Sequence, residues 1–168
     1  MKTLKNWTLA GKYADRIELR VDEQHLFCLY VLEESLFRIL IKRHGELALD
    51  RTWSIAPEED VPWEGRDRLS VAGFSLPGYH LQEHRDRLII SSQNLRVTVH
   101  QPLWLQWEYL DDHQQWQLLS EDRRTSAYLL NMHGDGVAHY QRRFADDRYY
   151  GLGEKSGDLE RSGRRFEM

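Results

Sequence analysis

One short segment of the sequence has the residue types and the spacing of a metal site. His80, Glu83 and His84 fit the pattern H-x-x-E-H, which on a helix directs two imidazoles at a zinc ion and leaves the carboxylate to activate a water molecule. Pro77-Gly78 comes directly before this segment and a strand-like run follows it, so a helix of two turns does not fit between them. We therefore expect an exposed loop at residues 80–84 and assign no metal site.

Other arrangements that catalyse reactions are incomplete. The sequence has no G-x-S-x-G turn for a nucleophilic serine. Asp111-Asp112, Glu121-Asp122 and Asp146-Asp147 are adjacent acidic pairs, but neighbouring side chains of a strand point to opposite faces, so none predicts the carboxylate pair of a glycosidase. Cys28 lies in an apolar run, which favours a buried, unreactive thiol. We assign no catalytic residue and no cofactor.

The last part of the chain, residues 146–168, is rich in glycine and charge. Its Gly151-Leu152-Gly153 is too short for a dinucleotide site, which needs a third glycine within a strand–helix unit. A kinked strand or a bulge explains it more simply. Residues 161–165 combine three arginines with a serine and a glycine; a phosphate-binding patch and a charged hairpin tip both fit this composition, and the hairpin tip is the simpler of the two.

Composition limits the class of protein. The 168 residues are 40% hydrophobic and 30% charged, with a net charge of −4, which predicts one globular domain and gives no basic field for nucleic acid or an anionic membrane. The mean hydropathy of −0.69 and the short apolar runs predict no membrane span. A single cysteine allows no internal disulfide, and no signal peptide is recognised. We expect a cytoplasmic protein.

The elements that must position the tail are strands. Ile17–Val21 alternates apolar and polar residues, which predicts a strand with one buried face. Leu26–Leu32 and Leu36–Ile41 are more continuous runs and predict interior strands. Further strands are predicted at Leu69–Phe74, Arg87–Ser91, Leu95–His100, Leu103–Leu110 and Trp116–Leu119.

No window has the 3.6-residue periodicity of a long helix, and residues 56–68 hold two prolines and many charges, which predicts a surface connection. The sequence contains no repeat or linker that would mark a domain boundary. These patterns predict an all-β chain, an antiparallel sandwich or barrel, in one domain over residues 1–168.

The tail resembles the segment that closes the N-terminal domain of glycoside hydrolase family 31, the α-glucosidase and α-xylosidase family. The resemblance rests on a Tyr-Gly-Leu-Gly-Glu-Lys core at Tyr150 to Lys155, followed by Arg161, Gly163, Arg164-Arg165, Phe166 and Met168. It is specific over roughly the last 20 residues and a matter of pattern elsewhere. It implies an antiparallel β-sandwich of the galactose-mutarotase type.

The resemblance also implies what the chain does. Catalysis in that family belongs to a later (β/α)8 barrel, where two aspartates hydrolyse the glycosidic bond with retention. The motif normally continues past the position of Met168, so we expect an N-terminal domain of a larger α-glycosidase acting on α-glucosides or xylosides, inactive alone, with its own barrel as partner.

In the family the hairpin after the core leans toward the barrel mouth, where arginine forks suit sugar hydroxyls. The substrate-side candidates are therefore Arg161, Ser162, Gly163, Arg164 and Arg165; docking onto the barrel and simple solvation are the alternatives. The residues implied to have a structural role are Tyr150, Gly151, Leu152, Gly153 and Glu154, the last by bonding backbone N–H groups.

Two other functions remain open. A self-standing carbohydrate-binding module would stack sugars on tryptophans that otherwise fill the core. The six tryptophans are Trp7, Trp53, Trp63, Trp104, Trp107 and Trp116. A mutarotase-like enzyme would need a histidine and a glutamate on one concave sheet face, and the sequence does not place such a pair.

Overall fold

The computed structural model describes residues 1–57, 61–151 and 156–163. Within these ranges the chain forms fourteen strands and no helix, and no helical segment has the length and apolar character of a membrane span. The strands are β1 (Lys2–Thr3), β2 (Trp7–Lys12), β3 (Arg16–Val21), β4 (His25–Glu33), β5 (Leu36–Lys42), β6 (Arg51–Thr52), β7 (Arg66–Asp67), β8 (His80–Glu83), β9 (Arg87–Ser91), β10 (Leu95–His100), β11 (Trp104–Leu110), β12 (Trp116–Glu121), β13 (Tyr128–Leu130) and β14 (Val137–His139).

Two larger sheets form the body of the domain. One has the order β2-β3-β4-β5 and the other the order β12-β11-β10-β9-β8, and each neighbouring pair is antiparallel. A three-stranded sheet, β1-β13-β14, and the short β6-β7 pair complete the described strands. The predicted all-β antiparallel sandwich is confirmed.

The core lies between the two large sheets. Ile17, Leu19 and Val21 of β3 are fully buried, as their alternation predicts, and they join Phe27 of β4 and Val97 of β10 in one cluster. Burying each of these side chains stabilises the fold by about 1.5–3 kcal/mol. The opposite sheet thus covers the face of β3 that carries its apolar side chains.

Strand β4 is buried on its second face as well. Cys28, Tyr30 and Leu32 point away from the core and form a second cluster, which side chains that follow β5, such as Ile55 and Phe74, help to cover. This two-sided burial explains the continuous apolar run that predicted an interior strand. Burial also raises the pKa of the Cys28 thiol to about 11, as expected of an unreactive cysteine.

Three of the predicted elements are wrong. Leu69–Phe74 forms turns instead of a strand, because the Oδ1 atom of Asp67 accepts the backbone N–H groups of the two residues at its start, at 2.7 and 3.2 Å. The predicted loop at residues 80–84 begins with the edge strand β8, which pairs with β9. The run Leu36–Ile41, expected inside a sheet, is the end strand β5 of its sheet.

Candidate functional site

The tail leaves the sandwich where β12 ends. Asp122 and Gln141 form an antiparallel bridge, and the Arg142 N–H donates to the carbonyl of Glu121 at 2.9 Å. A tight turn follows, in which the Phe144 N–H donates to the Oδ2 atom of Asp147 at 2.8 Å. The direction of the tail is therefore set by its backbone attachment to the corner of the five-stranded sheet.

Two parts of the tail then lie side by side. The Arg161 N–H donates to the Tyr149 carbonyl at 2.7 Å, and the Oε1 atom of Glu160 accepts the N–H groups of Tyr149 and Ser162 at 3.2 and 2.8 Å. The hydrogen bonds from Ser162 hold the pKa of the Glu160 carboxyl below its usual value. The Glu160 carboxylate thus joins the backbone of Tyr149 to that of Ser162, at the start of the substrate-side candidates.

The described substrate-side candidates differ in exposure. Arg161 is only 7% exposed, and its Nη1 atom donates to the Ser156 carbonyl at 3.3 Å. Ser162 is partly buried and Gly163 is exposed with a φ of +73°. Of these three residues only Gly163 is exposed, because the Arg161 guanidinium bonds the backbone of the tail and the Ser162 Oγ donates to the Asp147 carbonyl at 3.4 Å.

The residues with an implied structural role are described only in part. Tyr150 is 67% exposed and Gly151 has a φ of +98°, a conformation that favours glycine. The other predicted site residues lie outside the described residues: Leu152, Gly153, Glu154, Arg164 and Arg165. The roles of all ten motif residues stay predictions.

A buried carboxylate anchors the corner from which the tail starts. Asp122 is fully buried; its Oδ2 atom accepts the Leu105 N–H at 2.9 Å, and its Oδ1 atom lies 2.8 Å from Nε2 of His139. Tyr128 is also buried and hydrogen-bonded to Asp122, and burial followed by this negative charge raises the pKa of Tyr128 far above its usual value. Asp122 thereby ties three strands, β11, β13 and β14, to the end of β12.

Its neighbour Glu121 binds arginines instead. The Glu121 side chain is 3% exposed, and it accepts Nη1 of Arg142 at 2.6 Å and Nη2 of Arg124 at 3.2 Å. Burial raises the pKa of Glu121, but the hydrogen bonds from Arg142 and Arg124 outweigh this effect and hold the pKa below its usual value. Arg142 also lies 4.7 Å above the ring of Phe144. We call Glu121, Asp122, Tyr128, His139 and Arg142 the corner cluster.

A wide apolar groove adjoins the corner cluster. It has a volume of about 860 Å³ and runs between β5 and the end of the sandwich formed by β12, β13 and β14. Leu36, Leu119 and Val137 line it and are 38%, 57% and 71% exposed. Strands β5 and β12 are the end strands of their sheets. The groove therefore combines exposed apolar side chains with two sheet edges.

The all-β fold is the one implied by the resemblance of the sequence to glycoside hydrolase family 31. The model of the glycosyl hydrolase 31 N-terminal galactose mutarotase-like domain matches residues 26–168. The chain belongs to this family. A comparison of this chain with curated proteins found no match.

The solved structures similar to the family 31 domain include two of one enzyme. Both are of a family 31 dextranase from Flavobacterium johnsoniae, one a variant complexed with isomaltotriose and one complexed with glucose. Each has a TM-score of 0.63 and 19% sequence identity, over 95% of this chain and 17% of the dextranase chain. At this identity the likeness shows the fold, and the family 31 domain spans less than a fifth of the dextranase.

Sequence reasoning found the tail of the family 31 domain but missed the corner cluster. The adjacent pair Glu121-Asp122 does not predict a catalytic dyad, and its two side chains do bind different partners. The signal that would have found the cluster is an acidic pair at the end of a strand, followed within 21 residues by His139 and Arg142. The H-x-x-E-H segment lies on strand β8, and no group of three metal-ligating side chains occurs in the described ranges.

Proposed function

We propose that this chain is the non-catalytic N-terminal domain of a retaining α-glycosidase that hydrolyses α-linked glucosides or xylosides. The family match over residues 26–168 supports a glycoside hydrolase domain. The buried carboxylates of the corner cluster, Glu121 and Asp122, are each occupied by neutralising or hydrogen-bonding partners, as befits a structural role. The catalytic pair then belongs to a (β/α)8 barrel of the same enzyme.

The observation that carries this proposal is the apolar groove. Exposed side chains such as Leu119 and Val137 are unfavourable in water, and contiguous apolar patches of this kind mark interaction sites. Permanent interfaces are the most apolar class. We infer that the polypeptide that carries the barrel covers the groove, and that the corner cluster holds the neighbouring tail at that interface.

The tail hairpin has a second proposed role at the sugar pocket. Glu160 fixes the backbone of Ser162, so Ser162 and Gly163 are presented at a defined position. We propose that residues 161–165 wall the pocket of the enzyme for an α-glucoside or a related oligosaccharide. The dextranase structures with bound isomaltotriose and glucose support an α-glucan as the substrate class. The single buried cysteine supports a cytoplasmic location.

The first test uses the coding sequence and the two parts of the enzyme. The chain alone should not hydrolyse an aryl α-glucoside, whereas mixing it with the separately expressed polypeptide encoded after Met168 should give activity. A stop codon at that point, or a rate of the chain alone that a single substitution within it abolishes, would refute the proposal.

The groove supplies a matched pair of variants for this assay. Leu119 lines the groove and Leu118, its neighbour on β12, does not; the two are 57% and 46% exposed. Leu119→Asp should abolish association and activity, because it places a charge in the apolar interface. Leu118→Asp should behave as the wild type. Equal behaviour of the two variants would show that the groove is not the interface.

The alternative, a self-standing carbohydrate-binding module, has one observation in its favour. Of the six tryptophans, all within the described ranges, Trp53 and Trp63 are more than half exposed and the other four are at least partly buried.

A further inference from the structure

Two tryptophans between β6 and β7, Trp53 and Trp63, are exposed to solvent. Trp63 is 95% exposed and Trp53 is 53% exposed. Tryptophan is the largest apolar side chain and is highly buried on average in folded proteins. A ring as exposed as that of Trp63 contributes almost nothing to the packing of this domain, and its faces are accessible to a ligand.

The backbone beneath these rings is held in place. The Gly65 N–H donates to the Pro62 carbonyl at 2.7 Å and closes a turn around Trp63. The Nε1 atom of Trp53 donates to the Trp63 carbonyl at 3.0 Å. A β-carbon on Gly65 would lie 2.8 Å from the Trp53 ring, and Gly65 has a φ of +74°. The Trp53 ring therefore lies against the Gly65 backbone and fixes the turn that carries Trp63.

Charged residues lie close in sequence to the two rings. Nη1 of Arg51 donates to the Gly65 carbonyl at 3.3 Å, Glu64 is exposed next to Trp63, and Asp67 is exposed on β7. A pyranose ring has one face of C–H groups and a rim of hydroxyls. Flat indole faces suit the C–H groups, and the arginine fork and carboxylates suit the hydroxyls.

Other ligands fit this surface less well. A specific protein interface buries about 800 Å² on each partner and has an apolar centre, whereas exposed charges at Arg51, Glu64 and Asp67 interrupt the apolar area here. A nucleic acid would meet a domain with a net charge of −4, which opposes binding of polyanions. A neutral, hydroxyl-rich ring meets neither obstacle.

We propose that Trp53 and Trp63 form a saccharide-binding platform that stacks glucose units of an α-glucan chain. The choice of an α-glucan rests on the proposed function; the platform itself rests on the two rings and their support. The ring of Trp63 makes the main contact, and Trp53 both supports the turn and extends the apolar surface.

Isomaltotriose is the probe that tests the platform. In a nitrogen-15 correlation spectrum, the six tryptophans give six indole N–H signals, which single Trp→Phe variants assign. Titration of the 168-residue chain with isomaltotriose, to about 50 mM because single stacking sites bind in the millimolar range, should shift the signals of Trp53 and Trp63. No shift, or a shift confined to the other four indoles, would overturn the proposal.

Variants separate stacking from structure. Trp63→Ala should weaken isomaltotriose binding at least about tenfold, while the melting temperature stays unchanged because the ring is exposed. Trp63→Phe, which keeps a ring, should retain part of the affinity. Tyr109→Ala, at an aromatic residue 43% exposed on β11, is the matched control and should bind as the wild type. Unchanged binding by Trp63→Ala would overturn the platform.

The outcomes also separate this inference from the proposed function. If no barrel is encoded after Met168 but the Trp63 signal shifts, the proposed function fails and the platform stands. If the barrel is present and Trp63→Ala binds isomaltotriose as the wild type, the platform fails and the proposed function stands.

Discussion

Replacing Asp122 with alanine should be among the most destabilising single changes in the domain. Asp122 is fully buried at the end of β12 and accepts hydrogen bonds from the Leu105 N–H and, within the same buried region, from Tyr128. Asp122→Ala leaves both donors without their acceptor. The strands that meet at this corner then lose the group that joins them.

The size of the loss follows from these two donors. A buried donor left unsatisfied costs about 1–3 kcal/mol, so Leu105 and Tyr128 together predict about 2–6 kcal/mol. His139 is excluded from the sum because its side chain is 43% exposed and water screens the pair. For a domain whose total stability is about 5–15 kcal/mol, the change is large.

Urea unfolding followed by circular dichroism measures this effect. Asp122→Ala should lower the free energy of unfolding by about 2–6 kcal/mol and the melting temperature by about 4–24 °C. Asp122→Asn should lose less, because its amide oxygen can still accept the Leu105 N–H. Asp112→Ala, at an exposed aspartate of the β11–β12 turn, should stay within about 0.5 kcal/mol of the wild type. A loss below about 1 kcal/mol for Asp122→Ala would refute the reasoning.

Three further predictions concern other parts of the domain. Gly65→Ala should lower the free energy of unfolding by about 2–5 kcal/mol, the sum of left-handed backbone strain of about 1–2 kcal/mol and a clash with the neighbouring indole of about 1–3 kcal/mol. Gly45→Ala, which has open space around it, should show the strain alone. Equal losses of the two variants in urea unfolding would contradict the clash. Burial lowers the pKa of His25 and His100, so the two imidazoles bind a proton at higher pH in the unfolded chain than in the folded one. The free energy of unfolding should therefore fall as the pH drops below about 6.5, by at most about 1.4 kcal/mol per pH unit for each histidine. Replacing both with asparagine should flatten that slope, and an unchanged slope would exclude them as its source. Glu160→Gln should speed hydrogen exchange at the two amides bound by its carboxylate without changing global unfolding; unchanged exchange would show that this contact does not order the tail.

Local patterns in the sequence were enough to predict several strands. Arg87–Ser91 and Leu95–His100 coincide with β9 and β10, because each is a short apolar run bounded by turn residues. The hairpin of β11 and β12 was predicted for the same reason, with Asp111 accepting two backbone N–H groups of the turn. Where one face of a strand is buried, its periodicity is a reliable guide.

The failures arise where contacts are distant in the sequence. Leu69–Phe74 reads as a strand because Val71 and Phe74 are apolar, yet they pack against the outer face of β4 from an irregular connection. The pairing of β8 with β9 depends on backbone bonds that the polar side chains of β8 do not reveal. The corner cluster joins residues at the end of β12 and in β13 and β14 to Arg142, which precedes the tail, and no local pattern indicates which of them meet.

The groove between β5 and β12 also affects how readily this polypeptide aggregates. An apolar sheet edge is a template for strand addition by a second molecule, and partly assembled domains aggregate through such surfaces. On the proposed function, the interval between folding of the sandwich and docking of the barrel on the groove is the stage at which the chain is most prone to aggregate, and the stage at which a chaperone would protect it.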